Sequence, residues 1–234
     1  MFVPLGTEEA RKRRRFPFVT VLIVLANVAV FLYQTSILLH EGEGALEDFI
    51  VAYAVIPSAL LSGHDVAIPY YLTPLTSMFV HGGLAHVGFN MLYLIAFGDN
   101  VEDRLGHIPY IFFYLLSGLA ASAAHIAVNP ESIVPSVGAS GAIAGVLAGY
   151  LLLFPRGQVR TFVFIGFLLT ITRVPALLFI GIWFVTQFFA GIGSLGINTA
   201  QTGGVAYWAH IGGFVAGFLL AALFRPSAGG RARR

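Results

Sequence analysis

Cysteine is absent from this 234-residue chain, and charged residues are scarce. Without cysteine there is no disulfide, no thiol nucleophile and no thiolate metal site. Only 10% of the residues are charged and 57% are hydrophobic, against roughly 25% charged in an average soluble domain. Residues 16–39 and 174–224 contain no Asp, Glu, Lys or Arg. Because a spanning helix needs about 20 mostly apolar residues, this composition predicts an integral membrane protein.

Hydropathy predicts six spanning helices, at residues 18–39, 84–98, 109–128, 138–154, 174–192 and 206–224. The last charge-free run divides at residues 193–204, where Gly, Asn, Thr and Ser interrupt it. Residues 159–172 are apolar but short for a crossing and contain Arg160, so we predict that they lie at the membrane interface. The expected fold is an all-α integral membrane protein, a bundle of six transmembrane helices with a long external first loop.

Basic residues test this count, because cytoplasmic loops hold the excess of Lys and Arg. With six spans, all 13 basic residues fall on one side, whereas the loop at residues 40–80 is acidic. A seventh crossing at 159–172 would place Arg173 outside. We therefore expect a basic cytoplasmic segment at 1–15 that precedes an uncleaved first helix, a membrane domain at 16–224 and a basic cytoplasmic tail at 225–234. The basic clusters favour anionic lipid as their partner, and not nucleic acid.

Few polar side chains fall within the predicted spans, where such residues are costly and often functional. His86 and Asn90 are four residues apart near the start of the second span, so they share one helix face. Ser140 begins the fourth span, and His210 lies near the start of the sixth. Because these three spans run in the same direction, we expect the four side chains at one depth below the external surface.

Small residues predict close contact between the fourth and sixth spans. Glycines recur every four residues, at Gly141, Gly145 and Gly149 on the fourth span and at Gly213 and Gly217 on the sixth. Such faces let helices approach closely in lipid, so Ser140 and His210 could form a hydrogen bond. An imidazole that takes the serine proton makes the hydroxyl a nucleophile. With every Asp and Glu assigned to a loop, the prediction is a dyad.

Acyl transfer also needs hydrogen-bond donors aimed at the developing oxyanion. The candidate donors are His86, the Asn90 amide and the backbone N–H groups of Ser140 and Ala139. Gly138 and Gly141 flank this turn and leave room for a substrate carbonyl. Taken singly, each residue has a structural alternative: a glycine-rich helix start provides packing, and a buried His or Asn can join two helices by a hydrogen bond.

Other classes of membrane protein are weighed against this interpretation. The chain has no His-Glu-x-x-His zinc motif, and no predicted span holds the Asp pair that an aspartyl protease needs. A metal site is not predicted. A transporter, channel or helix-binding chaperone, whose polar residues line a path, stays an alternative that would tolerate replacement of Ser140.

Three separated motifs make the sequence resemble the rhomboid family of intramembrane serine proteases. They are His81-x4-His86-x3-Asn90, Gly138-Ala139-Ser140-Gly141 and Ala209-His210-x2-Gly213-x3-Gly217. They occur in the family's order, and the segment from Val101 to Gly106, with Glu102 and Arg104, is also similar to a family element. The resemblance extends from Phe16 to Phe224.

The resemblance implies a rhomboid-like bundle with Ser140 as nucleophile and His210 as general base and then acid. His86 and Asn90 would contribute to the oxyanion hole, and His81 would support the first loop. Glu102 and Arg104 would be structural. The implied substrates are single-span or polytopic membrane proteins, cut within or near a membrane segment, and no cofactor is implied. We expect a multi-pass protein of a prokaryotic plasma membrane; the oligomeric state is not specified.

Two departures from the family and one flexible segment complete the sequence-based expectations. Many relatives carry an aromatic residue four positions after the serine, where this chain has Ala144. Leu72 and Thr73 stand where relatives commonly have a Trp-Arg pair. Residues 191–204 are rich in glycine, and we expect them to act as a lid while the fifth helix moves aside.

Overall fold

The computed structural model describes residues 2–12, 15–63, 68–165, 168–195 and 205–225. In chain order the helices are α1 (Phe18–Glu41), α2 (Glu43–Tyr53), α3 (Pro57–Ser62), α4 (Thr73–Thr76), α5 (Leu84–Leu105), α6 (His107–Val128), α7 (Ser140–Leu153), α8 (Ala176–Gly193) and α9 (Tyr207–Phe224). The strands are β1 (Phe2–Thr7), β2 (Gln158–Ile165) and β3 (Leu168–Pro175). Short 3-10 turns occupy Glu9–Lys12 and Tyr70–Leu72.

Within the described part of the chain, four helices, α1, α6, α8 and α9, are long and apolar enough to cross a membrane. The protein is therefore a mostly helical multi-pass membrane protein. Each of the other two predicted spans also coincides with a helix, α5 or α7. Helix α7 is apolar but shorter, and α5 carries polar residues at both ends.

A three-stranded antiparallel sheet, in the order β1-β2-β3, corrects the prediction of an all-α protein. Of the segment predicted as an interfacial lead-in to the fifth span, residues 159–165 lie in β2 and residues 168–172 lie in β3; the interfacial location stays a prediction. The side chains of Val159, Thr161 and Val163 are buried, while Phe164 is exposed. This period of two is that of a strand with one covered face. Strand β1 pairs with β2, so residues 2–7 of the predicted N-terminal segment pack on the membrane domain.

Helix α9 packs along both α6 and α7, and glycine makes this contact possible. A Cβ atom added to Gly213 would collide with the backbone of Gly141, and one added to Gly217 would collide with the backbone of Gly145. The glycine faces predicted from sequence therefore meet. Because lipid offers helices no hydrophobic drive to associate, close backbone packing of this kind is a main source of attraction.

Helix α5 continues beyond the predicted end at residue 98, and Glu102 lies in this continuation. Its carboxylate accepts hydrogen bonds from Val19 N (2.9 Å), Thr20 N (2.8 Å) and Thr20 Oγ1 (2.7 Å), and it lies 2.6 Å from His107 Nδ1. The first N–H groups of a helix have no intrahelical acceptor, and Glu102 supplies one to α1. The assignment of every acidic residue to a loop is thus wrong, because Asp99, Glu102 and Asp103 belong to α5.

The connection between α1 and α5 is held against the start of α7. The Gln34 side chain forms two hydrogen bonds with the backbone of His81, at 2.9 and 3.1 Å. Val55 and Ser136 pair through their backbones, and Gly138 N donates to Ser77 O at 2.8 Å. These contacts fix the backbone that leads into Ser140.

Candidate active site

Ser140 and His210 meet where α7 and α9 begin. The distance from Ser140 Oγ to His210 Nε2 is 2.8 Å, which is an ordinary O–H···N hydrogen bond. Ser140 is the first residue of α7, and His210 lies within the first turn of α9. The contact between Gly141 and Gly213 lies directly below this pair along the helices. Close packing of the two helices therefore brings the two short side chains together.

The second ring nitrogen of His210, Nδ1, faces α8. His210 Nδ1 lies 2.7 Å from Gln187 Oε1, and the Trp183 ring centroid lies 5.8 Å from the imidazole centroid. Positions 183 and 187 share one helix face. The sequence analysis did not predict either residue, because its candidates all lie near the starts of the second, fourth and sixth spans. The available signal was an uncharged amide inside a run of apolar residues, one turn after a tryptophan.

His86 and Asn90 lie beside the turn that precedes Ser140. Gly138 has φ +118°, and a Cβ atom there would lie 2.7 Å from His86 Nε2 and 3.4 Å from Asn90 Nδ2. Only glycine fits this backbone conformation without strain. Asn90 is buried, and its Nδ2 has no hydrogen-bond partner among the described residues. An amide donor is thus available next to Ser140.

His81 stands behind His86. Its ring centroid is 5.1 Å from that of His86, in an edge-to-face arrangement, and its Nδ1 lies 3.3 Å from Phe79 O. Burial, together with the neighbouring His86, lowers the pKa of His81 to about 4. A neutral, buried His81 packs the first loop against His86, and it does not reach Ser140 in the hydrogen bonds described.

A cavity of about 520 Å³ opens beside the pair. Its walls come from α5, α7, α8 and the segments before α7 and α9, with the lining residues His86, Phe89, Asn90, Tyr93, Ser136, Val137, Ser140, Ile143, Leu147, Trp183, Val205, Ala206 and His210. The lining combines the polar side chains of His86, Asn90, Ser140 and His210 with apolar and aromatic ones.

The remaining predicted residues are distributed between the two ends of the bundle. Ala139 is fully buried before α7, while Glu102 and Arg104 lie at the far end of α5. Helix geometry places Glu102 about 18 Å from Asn90. Arg104 Nη2 donates to Leu153 O at 3.3 Å, and its guanidinium lies 5.0 Å from the Phe154 ring centroid. This joins the ends of α5 and α7.

The positions that depart from the family pattern have structural substitutes or local contacts. Ala144 is fully buried and supplies only a methyl group, whereas Trp183 of α8 is the aromatic ring near His210. Thr73 Oγ1 donates to Tyr70 O at 2.8 Å. Residues 191–193 of the predicted lid are the last residues of α8, and residues 194 and 195 follow that helix. Residues 196–204 of the predicted lid lie outside the described residues.

Comparison with known proteins decides the family. The rhomboid domain family matches residues 70–227, well over half of the chain. The chain belongs to the rhomboid family. This rhomboid is 30% identical to RHOMBOID-like protein 4 of Arabidopsis thaliana, over 93% of the chain and 55% of that relative. It is 29% identical to Rhomboid protease GluP of Bacillus subtilis, over 97% of the chain and 39% of GluP.

A third relative, the mitochondrial Rhomboid protein 1 of Saccharomyces cerevisiae, is 33% identical over 61% of this rhomboid and 39% of its own length. The chain therefore spans about half the length of these relatives or less. They come from a plant, a bacterium and a yeast, so the prokaryotic plasma membrane expected from the sequence stays a prediction.

Proposed function

We propose that this rhomboid is an intramembrane serine endopeptidase, which cleaves transmembrane segments of other membrane proteins through an acyl-enzyme. The observation that carries the proposal is the 2.8 Å contact between Ser140 Oγ and His210 Nε2. Both residues line the cavity, together with apolar side chains of α5, α7 and α8. A nucleophile hydrogen-bonded to a base, beside unused donors, is the arrangement that acyl transfer requires.

The catalytic cycle follows from these positions. Ser140 Oγ attacks the scissile carbonyl carbon while His210 Nε2 takes the hydroxyl proton. Asn90 Nδ2, His86 and the N–H groups at the start of α7, from Ala139 and Ser140, are the donors proposed for the oxyanion. His210 then passes its proton to the leaving amide nitrogen. Water, deprotonated by His210, attacks the acyl carbonyl and releases Ser140.

Six crossings are the membrane arrangement that best fits this site. We take α5 and α7 to cross the membrane together with α1, α6, α8 and α9, because the first turns of α5, α7 and α9 all lie close to Ser140. Arg15, Arg104, Arg156, Arg173 and Arg225 then share the opposite end. The positive-inside rule makes that end cytoplasmic and makes the α1–α5 connection external. The termini would be cytoplasmic, although residues 226–234 of the basic tail lie outside the described residues.

The partners proposed are single-span or polytopic membrane proteins within the bilayer. Apolar side chains of Phe89, Tyr93 and Trp183 line the cavity between α5 and α8. A substrate helix must unwind to present its carbonyl there, since helical carbonyls are occupied by their own hydrogen bonds. Glycine or another residue of low helix propensity near the cleaved bond lowers the cost of unwinding.

Cleavage of a fluorogenic single-span substrate by purified protein in liposomes tests the proposal. Wild-type protein should cleave it, and Ser140→Ala or His210→Ala should abolish cleavage while the thermal melt is retained. Ser62→Ala, an exposed serine remote from the cavity, serves as the matched control and should cleave normally. Binding of the substrate without cleavage by the wild type would instead support a non-catalytic rhomboid-like protein, such as a helix-binding chaperone or transporter.

A further inference from the structure

Gln187 and its neighbour Thr186 are polar side chains on the mostly apolar helix α8, and the amide oxygen of Gln187 contacts His210. The Gln187 Oε1 to His210 Nδ1 distance is 2.7 Å. A carbonyl oxygen only accepts hydrogen bonds, so Nδ1 must carry the proton. The unprotonated Nε2 then faces Ser140 Oγ at 2.8 Å. The contact therefore selects the tautomer that can accept the serine proton.

The surroundings of His210 leave this role to α8. One turn after Ser140, α7 offers only the methyl group of Ala144. Among the residues that the structure describes, the titratable side chains with an electrostatic effect on His210 are His86 of α5 and His125 of α6. Neither supplies a negative charge. On α8, Trp183 lies beside the imidazole, and Gln187 bonds its remaining nitrogen.

We propose that Gln187 is a positioning residue, which fixes the tautomer and ring orientation of His210 and so extends the dyad to a Ser-His-Gln arrangement. This inference rests on the proposed protease function. Gln187 does not touch the reacting atoms in this arrangement; it acts through His210. Because it lies on α8, the catalytic tautomer is held only while α8 packs against α9.

An uncharged amide suits this position for a physical reason. A carboxylate within the membrane would be expensive to desolvate. It would also stabilise the imidazolium before substrate arrives, which removes the free base. The amide oxygen orients the ring in both protonation states, because Nδ1–H donates to it before and after proton transfer.

Steady-state kinetics with three α8 variants test the proposal. Gln187→Leu keeps an apolar side chain of similar bulk but accepts no hydrogen bond. Its kcat should fall on the order of 10- to 100-fold with KM nearly unchanged. This loss is smaller than the roughly 10⁴-fold loss that follows when the aspartate of a Ser-His-Asp protease is replaced by asparagine. Gln187→Glu should regain activity at high pH, with the acidic limb of kcat/KM moved to higher pH. Thr186→Val, the exposed neighbour on α8, should behave as wild type.

Nitrogen-15 NMR of histidine-labelled protein provides a readout besides activity. The His210 signals, assigned by their loss in His210→Asn, should show a proton on Nδ1 and none on Nε2, and Gln187→Leu should mix the two tautomers. Ser140-dependent cleavage combined with wild-type kcat and pH profile in Gln187→Leu would overturn the proposal. A His210 ring that carries its proton on Nε2 in the wild-type protein would also overturn the proposal. Failure of the protease proposal is distinct, since it would appear as wild-type protein without Ser140-dependent cleavage.

Discussion

Asn90 illustrates, at the scale of a residue, how a stability cost can point to function. Its Nδ2 is buried and unpartnered within the described structure, whereas the buried Gln34 amide is hydrogen-bonded. An unsatisfied buried donor costs about 1–3 kcal/mol. Asn90→Ala should lower kcat on the order of 10²- to 10³-fold with a small change in KM, measured on the fluorogenic substrate. Asn129→Ala, at the end of α6, is the control; equal rates in both variants would remove Asn90 from the oxyanion hole.

Gly138 provides a second prediction at this scale. Its φ of +118° disfavours any side chain, and a Cβ atom would press on His86 Nε2 at 2.7 Å. Gly138→Ala should therefore reduce cleavage at least tenfold, because the turn before Ser140 must shift. Gly44→Ala, with open space around it, should leave cleavage unchanged. Normal activity in Gly138→Ala would mean that this turn tolerates displacement.

The helix pair α7–α9 carries the main prediction at the scale of elements. Gly217 contacts the backbone of Gly145 so closely that no Cβ atom fits. Gly217→Ala should lower the free energy of unfolding by about 1–3 kcal/mol, the usual cost of overpacking, and reduce Tm in a fluorescence melt. Gly181→Ala on α8 meets nothing within 4 Å and should not lower Tm. A Tm equal to that of wild type for Gly217→Ala would contradict the packing described.

Glu102 carries the second prediction for elements, at the junction of α1 and α5. Both carboxylate oxygens accept N–H groups of α1, so an amide would leave one donor facing another. Glu102→Gln should cost about 1.5–3 kcal/mol, the range for hydrogen bonds to charged groups. The melt of Glu47→Gln, an exposed glutamate of α2, should match the wild type. An unshifted melt for Glu102→Gln would show that α1 is anchored elsewhere.

Elements differ in how far the sequence predicts them, for identifiable reasons. Long apolar runs predict α1, α6, α8 and α9 to within a few residues, because length and hydropathy are local properties. Strands β2 and β3 are not predicted, because their apolar residues also satisfy a hydropathy window. The role of Glu102 at the end of α5 is not predicted, because its partner Val19 is more than 80 residues away in sequence. The contact of Gln187 with His210 is not predicted for the same reason, because only the fold brings the two side chains together.

The absence of cysteine gives the whole molecule a clean test of its proposed orientation. Single cysteines can be introduced as Glu43→Cys and Glu131→Cys at the Ser140 end and as Arg156→Cys at the opposite end. In sealed right-side-out vesicles, a membrane-impermeant maleimide should label the first two and not the third. Labelling of Arg156→Cys alone would reverse the proposed orientation, while labelling of all three would contradict the crossing pattern.

Nucleophilic attack by Ser140, activated by His210, is the central claim, and covalent labelling measures it most directly. Wild-type protein treated with a fluorophosphonate probe should carry the adduct on Ser140, located by peptide mass spectrometry. Ser62→Ala should label as well as the wild type, His210→Ala should label far more slowly, and Ser140→Ala should not label. An adduct absent from Ser140, or equally fast in His210→Ala, would contradict the account of the dyad.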